Sequence, residues 1–209
     1  MTTMRIVKQI GGVALLVGAT VSCGDVARQS QSPVYLVINN LEARRGGGNN
    51  TTPGNILLSD VITNVTSPAP CSAQSPCPTI FNDFGSATLS LAMKDVTTGL
   101  APTTNNTVTL SRYRISYRRA DGRNTPGVDV PYPFDGAATV TVTPTGVANV
   151  GFEIVRHVAK QESPLAQLQT NPGVITTITE VTFYGTDRVG NDVSVTGTIQ
   201  IDFGNFGDQ

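Results

Sequence analysis

The sequence is poor in the residue types that most often carry catalysis. Its 209 residues include no tryptophan, one histidine and three cysteines, and only 14% of them are charged. A serine-histidine-acid triad would have to use His157, which lies in a strand-like pattern beside Arg156, where an exposed or edge position is expected. No Gly-x-Ser-x-Gly nucleophile motif and no regularly spaced acidic cluster accompanies that histidine. We therefore expect a protein that is not an enzyme and that holds no cofactor.

Net charge is also nearly absent. The formal net charge is −1 and the isoelectric point is about 5.7, and neither value provides an electrostatic reason to bind nucleic acid. We therefore exclude nucleic acid as an expected partner.

Long hydrophobic runs are missing except near the N-terminus. The run from Ile10 to Val21 is too short to span a bilayer comfortably, and it follows the basic residues Arg5 and Lys8. A basic segment followed by a short apolar run is typical of a secretory signal. Residues 1–22 are therefore predicted to be a signal peptide.

The end of this signal has the sequence Val21-Ser22-Cys23-Gly24. Here the chain resembles bacterial lipoprotein precursors, in which a small residue precedes a cysteine that is lipidated and becomes the new N-terminus. The resemblance implies an acylated Cys23 that anchors the protein in a membrane, and Gly24 favours the outer membrane. Because Thr20 stands where such lipoproteins usually carry leucine, export without a lipid, as a periplasmic or secreted protein, is the alternative.

The other two cysteines are close together in the sequence. Cys71 and Cys77 lie in a loop rich in proline and serine, and the nearby sequence offers no further metal ligands. A disulfide between them would leave Cys23 as the odd cysteine and would require an oxidising compartment, which agrees with export. We therefore predict a Cys71–Cys77 bridge that pins a local loop.

The remainder of the chain divides into a short tether and one domain. Residues 23–32 are polar and without periodicity, which is typical of a flexible linker, and residues 33–209 carry strand-like runs throughout. About eight short strands are expected, and Ser163-Pro164 predicts one short helix over residues 163–169.

The clearest strand pattern is a hairpin near the C-terminus. Apolar and polar residues alternate from Asp192 to Phe203, and the upstream run around Phe183 has the same period. Asp187 and Gly190 suit the first and fourth places of a type I turn, which predicts a three-residue loop with Phe183 opposite Val195. This register predicts that Val181, Phe183, Val193, Val195, Ile199 and Ile201 are buried under an opposing sheet.

An earlier strand changes phase. Val108 and Leu110 share one parity, whereas Tyr113, Ile115 and Tyr117 share the other. Such a change predicts a bulge or a switch between sheets.

The hairpin sequence Phe183 to Asp192 resembles the last two strands of bacterial immunoglobulin-like domains, in which an Asp-x-x-Gly-Asn turn recurs. The segment Tyr113 to Arg119 is similar, more weakly, to a central strand of fibronectin type III modules. About eight short strands separated by turns predict an all-β fold, a two-sheet antiparallel sandwich. The resemblance implies that this sandwich is immunoglobulin-like.

The one concentrated charge in the sequence lies on a predicted strand. Arg112, Arg114 and Arg118 share the face opposite Tyr113 and Ile115. Two interpretations stay open: a solvated sheet face, or a patch that binds an anion or an acidic partner.

Calcium is the second site hypothesis, and it rests on aspartates in loops. Loops at one end of a sandwich could bring their carboxylates together, although none has the spacing of a calcium loop, and turn-forming aspartates are the alternative. The candidate residues are Asp121, Asp129, Asp135, Asp187 and Asp192.

The sequence therefore supports two functional hypotheses. The leading one is a non-enzymatic, membrane-anchored envelope lipoprotein whose sandwich has a structural or protein-interaction role. The alternative is an adhesive or ligand-binding module for glycan or calcium.

Overall fold

The computed structural model of the chain describes residues 31–47, 52–95, 97 and 99–207. The predicted signal peptide, Cys23 and most of the tether lie outside these residues. Ten strands are formed: β1 (Val34–Arg44), β2 (Ile56–Asp60), β3 (Thr63–Val65), β4 (Cys77–Thr79), β5 (Asp83–Met93), β6 (Val108–Arg118), β7 (Phe134–Val142), β8 (Ala148–Val155), β9 (Ile175–Asp187) and β10 (Asp192–Gly204). One short helix, α1 (His157–Gln161), follows β8, and 3-10 turns span Thr104–Asn106 and Leu165–Gln169.

The strands form three sheets. A three-stranded sheet has the order β1-β5-β8, a five-stranded sheet has the order β2-β10-β9-β6-β7, and β3 pairs with β4. The five-stranded sheet is curled. The all-β fold class is thus confirmed.

The two larger sheets share one hydrophobic core because alternate side chains of each strand face the other sheet. Tyr117 of β6 donates its hydroxyl to the carbonyl oxygen of Ile154 in β8, at 2.7 Å, so a polar contact also crosses the core. Phe152 and Phe183 are buried between the sheets with their ring centroids 5.3 Å apart.

The predicted C-terminal hairpin is confirmed in its register. Phe183 lies opposite Val195, the amide of Asp187 donates to the carbonyl of Asn191, and Gly190 has φ of +92°. Five of the six side chains expected under the opposing sheet are buried, and Val195 is half-buried. The alternation and the turn chemistry therefore specify this pairing.

The predicted change of phase in β6 is a bulge. The register of β6 against both β7 and β9 shifts between Leu110 and Arg112. The bulge inserts one extra residue between Leu110 and Arg112 and so reverses the alternation of the strand. As a result Leu110 before the bulge and Tyr113 after it are both buried.

The details of the sandwich differ from the sequence prediction. Among the described residues ten strands form instead of about eight, because the segment around the disulfide adds β3 and β4. Strand β2 runs parallel to β10, with Leu57 beside Ile201, so the sheets are not purely antiparallel. The helix predicted at residues 163–169 is a 3-10 turn beginning at Leu165, and a short α-helix, α1, lies just before it. The N-cap residue of that turn is Pro164, which makes no side-chain capping hydrogen bond. Ser163 therefore does not act as the predicted N-cap.

Candidate functional site

The outer face of the three-stranded sheet carries a small cleft. Strand pairing places Arg44 opposite Phe84 and Phe84 next to Glu153, so the three residues form a row across β1, β5 and β8. Phe84 is 42% exposed although it is a large apolar side chain, and the Arg44 guanidinium carbon lies 5.9 Å from its ring centroid. The row therefore presents an accessible aromatic ring between a cation and a carboxylate.

Small residues form the floor of this cleft. Ser86 pairs with Gly151 in the adjacent row, and a Cβ atom added at Gly151 would meet nothing within 4 Å. The cleft has a volume of about 410 Å³, which lies in the range of small-ligand sites. Its lining includes Arg44, Phe84, Ser86, Gly151 and Glu153. We refer to these five residues as the Phe84 cleft.

The three arginines predicted as a patch lie on the outer face of the other sheet. Arg112 and Arg114 both donate to Asp135 on β7, at 2.9 and 2.6 Å, and the Arg112 guanidinium stacks 3.8 Å from the Tyr184 ring centroid. Arg118 lies 3.5 Å from Glu180 on β9. Each arginine is exposed. The carboxylates offset most of the positive charge of this row, which favours a solvated sheet face over an anion site.

Two of the five candidate calcium residues, Asp121 and Asp129, lie between strands and bind local partners. Asp121 accepts hydrogen bonds from Arg119 and Arg123, which hold the pKa of its carboxyl well below the ordinary value. Asp129 accepts the amide N–H of Thr125 at 3.2 Å.

The other three candidates lie on the five-stranded sheet. Asp135 forms ion pairs with two arginines, and Asp187 accepts a hydrogen bond from the backbone N–H of Asn191 in its own turn. Asp192 is the first residue of β10. Within the described ranges, no three His, Cys, Asp or Glu side chains are close enough together to hold a metal ion. The structure therefore does not bring the five aspartates together.

His157 does not lie in a strand. Strand β8 ends at Val155, and His157 is the first residue of α1, where its side chain is exposed. Its backbone N–H donates to Asn82 Oδ1 at 2.6 Å, and its ring Nδ1 lies 2.9 Å from the same oxygen. This geometry makes His157 part of the junction between α1 and the start of β5.

The disulfide between Cys71 and Cys77 is present, with a Cα–Cα distance of 5.4 Å. Cys77 begins β4, where Val65 of β3 is its partner. The bridge therefore closes a short loop at the edge of the domain, as the sequence predicted.

One buried polar cluster was missed by the sequence analysis. Lys160 of α1 donates to Asp83 Oδ2 at 2.8 Å, and their side chains are 1% and 0% exposed. The sequence around Lys160 is polar and gives no sign of burial. Asp83, however, shares the inward parity of Gly85, Ala87 and Leu89, which is a signal that could have identified it.

Two further donors hold the Asp83 carboxyl group. Ser59 of β2 donates its hydroxyl to Oδ2 at 2.6 Å, and the backbone N–H of Gly46 donates to Oδ1 at 2.9 Å. Burial raises the pKa of Asp83, and the charge and hydrogen bond of Lys160 oppose that effect. Burial also raises the pKa of Tyr117, and the charge of Asp83 adds to the increase. The cluster is therefore a dry site in which the carboxyl pKa of Asp83 is raised.

Comparison with known proteins gave no assignment: the sequence matches no protein-family model and no curated protein at a significant level. In the described part of the chain, no helix has the length and apolar character needed to cross a membrane.

Proposed function

We propose that this protein is a non-enzymatic cell-envelope lipoprotein, anchored in the outer membrane through Cys23, whose β-domain is an interaction module. Support for export comes from the signal-like N-terminal sequence together with the Cys71–Cys77 bridge, because disulfides persist in oxidising compartments. The anchor follows from the lipoprotein-like sequence around Cys23.

We also infer that the domain is an immunoglobulin-like sandwich. The core contact of Phe152 with Phe183 and the Asp187–Gly190 turn support this assignment. The parallel pairing of β2 with β10 would then be a variation at one edge of the second sheet.

The observation that carries the interaction role is the exposed apolar character of the three-stranded sheet. Tyr35, Val37 and Phe84 are 54%, 36% and 42% exposed, and all three point away from the core on β1 and β5. Exposed apolar side chains concentrated on one sheet face are typical of binding surfaces. The five-stranded sheet carries the arginine-rich face described above, together with Ile56, Leu58 and Ile178, which are 51%, 50% and 48% exposed.

The anchor is tested by fractionating cells that express the full chain or its Cys23→Ser variant. The wild type is expected in the detergent phase, with an intact mass equal to that of the mature chain plus acyl groups, because several acyl chains bind a membrane stably. The variant is expected in the aqueous phase. A wild type with an unmodified N-terminus would overturn the lipoprotein assignment and leave a simply exported protein.

The interaction role is tested by placing a photo-crosslinking residue at Val37 in the anchored protein within intact cells. A discrete adduct that mass spectrometry identifies as one envelope protein is expected. The same residue placed at Thr139, which is exposed on β7, is the matched control and should give no such adduct. Equal labelling at both positions would count against a specific face.

A second candidate function, glycan binding, is favoured by the Phe84 cleft. Sugar rings stack their apolar faces on aromatic side chains, and charged side chains at the rim can hydrogen-bond hydroxyl groups. Arg44 and Glu153 are the strand neighbours of Phe84 on its two sides.

A glycan array with the wild type and the Phe84→Ala variant tests this second function. A specific hit that the variant loses would support it. Tyr132→Ala is the control, because Tyr132 is 54% exposed but does not line the cleft. Absence of any hit, or a hit that survives Phe84→Ala, would remove glycan binding at this cleft.

A further inference from the structure

Lys160 and Asp83 place an amine and a carboxyl group in contact in the interior of the domain. The Nζ–Oδ2 distance is 2.8 Å, and the two side chains are almost completely excluded from solvent. Lys160 is among the largest of the fully buried side chains in the described part of the chain. Lysine and aspartate are rarely buried so completely, so this pair requires an explanation.

In the part of the chain that the structure describes, a simple ion pair leaves N–H donors of Lys160 without acceptors and keeps two charges away from water. A lysine ammonium has three N–H donors, and among the described residues Asp83 is the single acceptor found for Nζ. Two charges removed from water carry a desolvation penalty that one contact does not readily offset. Burial raises the pKa of the Asp83 carboxyl. Transfer of one proton from Nζ to that carboxyl gives an uncharged amine and a carboxylic acid, which are the two reactants of an amide bond.

We propose that Lys160 and Asp83 condense to an intramolecular amide bond between Nζ and Cγ. The amide has no charge and a single N–H donor, so it removes both the desolvation penalty and the unmatched donors. This covalent modification is independent of the function proposed above.

The reaction is balanced without any co-reactant. The Nζ lone pair attacks Cγ, the N–C bond forms, and the Cγ–Oδ2 bond breaks. The leaving Oδ2 carries the carboxyl proton and one of the two amine protons, so one molecule of water is released. No electron transfer takes place, and no external reagent is needed.

The neighbouring residues match the requirements of this step. Negative charge develops on Oδ1 during the attack, and the Gly46 N–H, 2.9 Å away, already donates to that oxygen. Ser59 donates to Oδ2, the oxygen that leaves, at 2.6 Å. The site excludes solvent, so the reverse reaction lacks its co-substrate, water.

The bond would join two parts of the domain that are distant in sequence. Asp83 is the first residue of β5 and pairs with Val155 at the end of β8, and Lys160 lies in the helix that follows β8. The amide would therefore fasten α1 to the three-stranded sheet.

Peptide mapping of the purified full chain tests this proposal. Trypsin cleaves after arginine and lysine but not after an acylated lysine. After reduction of the disulfide and unfolding, we expect a branched peptide in which Gly46–Lys94 is joined to His157–Arg188. Its mass should equal the sum of the two peptides minus one water, and no peptide should end at Lys160.

The Lys160→Arg variant is the matched control, because it keeps the positive charge but cannot form the amide. Its intact mass should differ from that of the wild type by the substitution plus one water. Complete cleavage of the wild type after Lys160, with a linear Gly46–Lys94 peptide, would overturn the proposal and leave an ion pair. The wild-type map decides the matter even if the variant does not fold.

Discussion

Phe152 of the three-stranded sheet and Phe183 of the five-stranded sheet pack edge to face, with their ring centroids 5.3 Å apart and their planes at 80°. Phe183 is completely buried and Phe152 is 5% exposed. Since the residues belong to different sheets, this contact joins the two layers of the domain. Tyr113 extends the aromatic contact, with its ring centroid 5.4 Å from that of Phe152.

Shortening the Phe183 side chain, which removes this contact, should strongly destabilise the domain. Phe183→Ala removes a fully buried ring and leaves a cavity, so the free energy of unfolding should fall by about 3 to 5 kcal/mol in urea titrations. Val189→Ala is the control, since Val189 is 76% exposed in the hairpin turn and should change stability by less than about 0.5 kcal/mol. A loss below about 1 kcal/mol for Phe183→Ala would contradict the face assignment of β9.

The hairpin turn should require glycine at position 190. Gly190 has φ of +92°, which a residue with a side chain rarely adopts, so Gly190→Ala should reduce stability by roughly 1 to 2 kcal/mol. Gly151→Ala is the matched control, because a Cβ atom there meets nothing within 4 Å and its φ is not positive. Thermal unfolding of both variants measures the difference. Equal effects would show that the left-handed conformation at Gly190 is not the cause.

Asp187 should make the stability of the domain depend on pH. Its Oδ1 accepts the N–H groups of Val189 and Asn191 at 3.0 and 2.8 Å, and its Oδ2 accepts from the Asn191 side chain at 2.9 Å. Burial alone would raise the pKa of Asp187, but these hydrogen bonds outweigh it and lower the pKa in the folded state. A depressed carboxyl pKa stabilises the folded state above the unfolded value of about 3.9, and this contribution is lost as pH falls through the folded value.

The Asp187→Asn variant isolates this effect. Its free energy of unfolding should lie below that of the wild type at neutral pH, and the difference should shrink as the pH falls below about 4. Urea titrations of both proteins at several pH values measure the difference. A difference that stays constant with pH would show that the carboxylate charge of Asp187 does not contribute.

The disulfide should contribute to stability only locally. Replacing both Cys71 and Cys77 by serine opens a loop of few residues, so the expected loss is about 2 kcal/mol on the chain-entropy model. The wild type unfolded in the presence of a reductant should show the same loss. Far-ultraviolet circular dichroism of the variant should stay unchanged at neutral pH, and loss of the strand signal would mean that the bridge supports the main sheets.

The sequence predicted the β9–β10 hairpin and the bulge of β6 because their signals are local. Period-two alternation sets the inward face of each strand, and the turn residues Asp187 and Gly190 set the register. The bulge is visible as a change of parity between Leu110 and Tyr113, since an extra residue reverses the alternation.

The Phe84 cleft was not predicted, because its residues come from three strands. In the sequence, Phe84 precedes an alternating run, and no nearby residue indicates which side chains will lie beside its ring. Only the pairing of β5 with β1 and β8 places Arg44 and Glu153 on either side of the ring. The arginine row was predicted only in part. The sequence predicted that the three arginines share a face, but the ion pairs that offset their charge are made with Asp135 and Glu180 on neighbouring strands.

The sequence by itself determined the all-β character, the hairpin register and the local disulfide, because each depends on residues close together along the chain. Only the tertiary structure decided that β2 runs parallel to β10 and that Lys160 is buried against Asp83. These pairings join segments that are distant in the chain, and their free energy comes from burial and hydrogen bonds that exist only after the sheets have packed. The local sequence around Lys160 is the same whether its side chain faces water or a buried carboxylate.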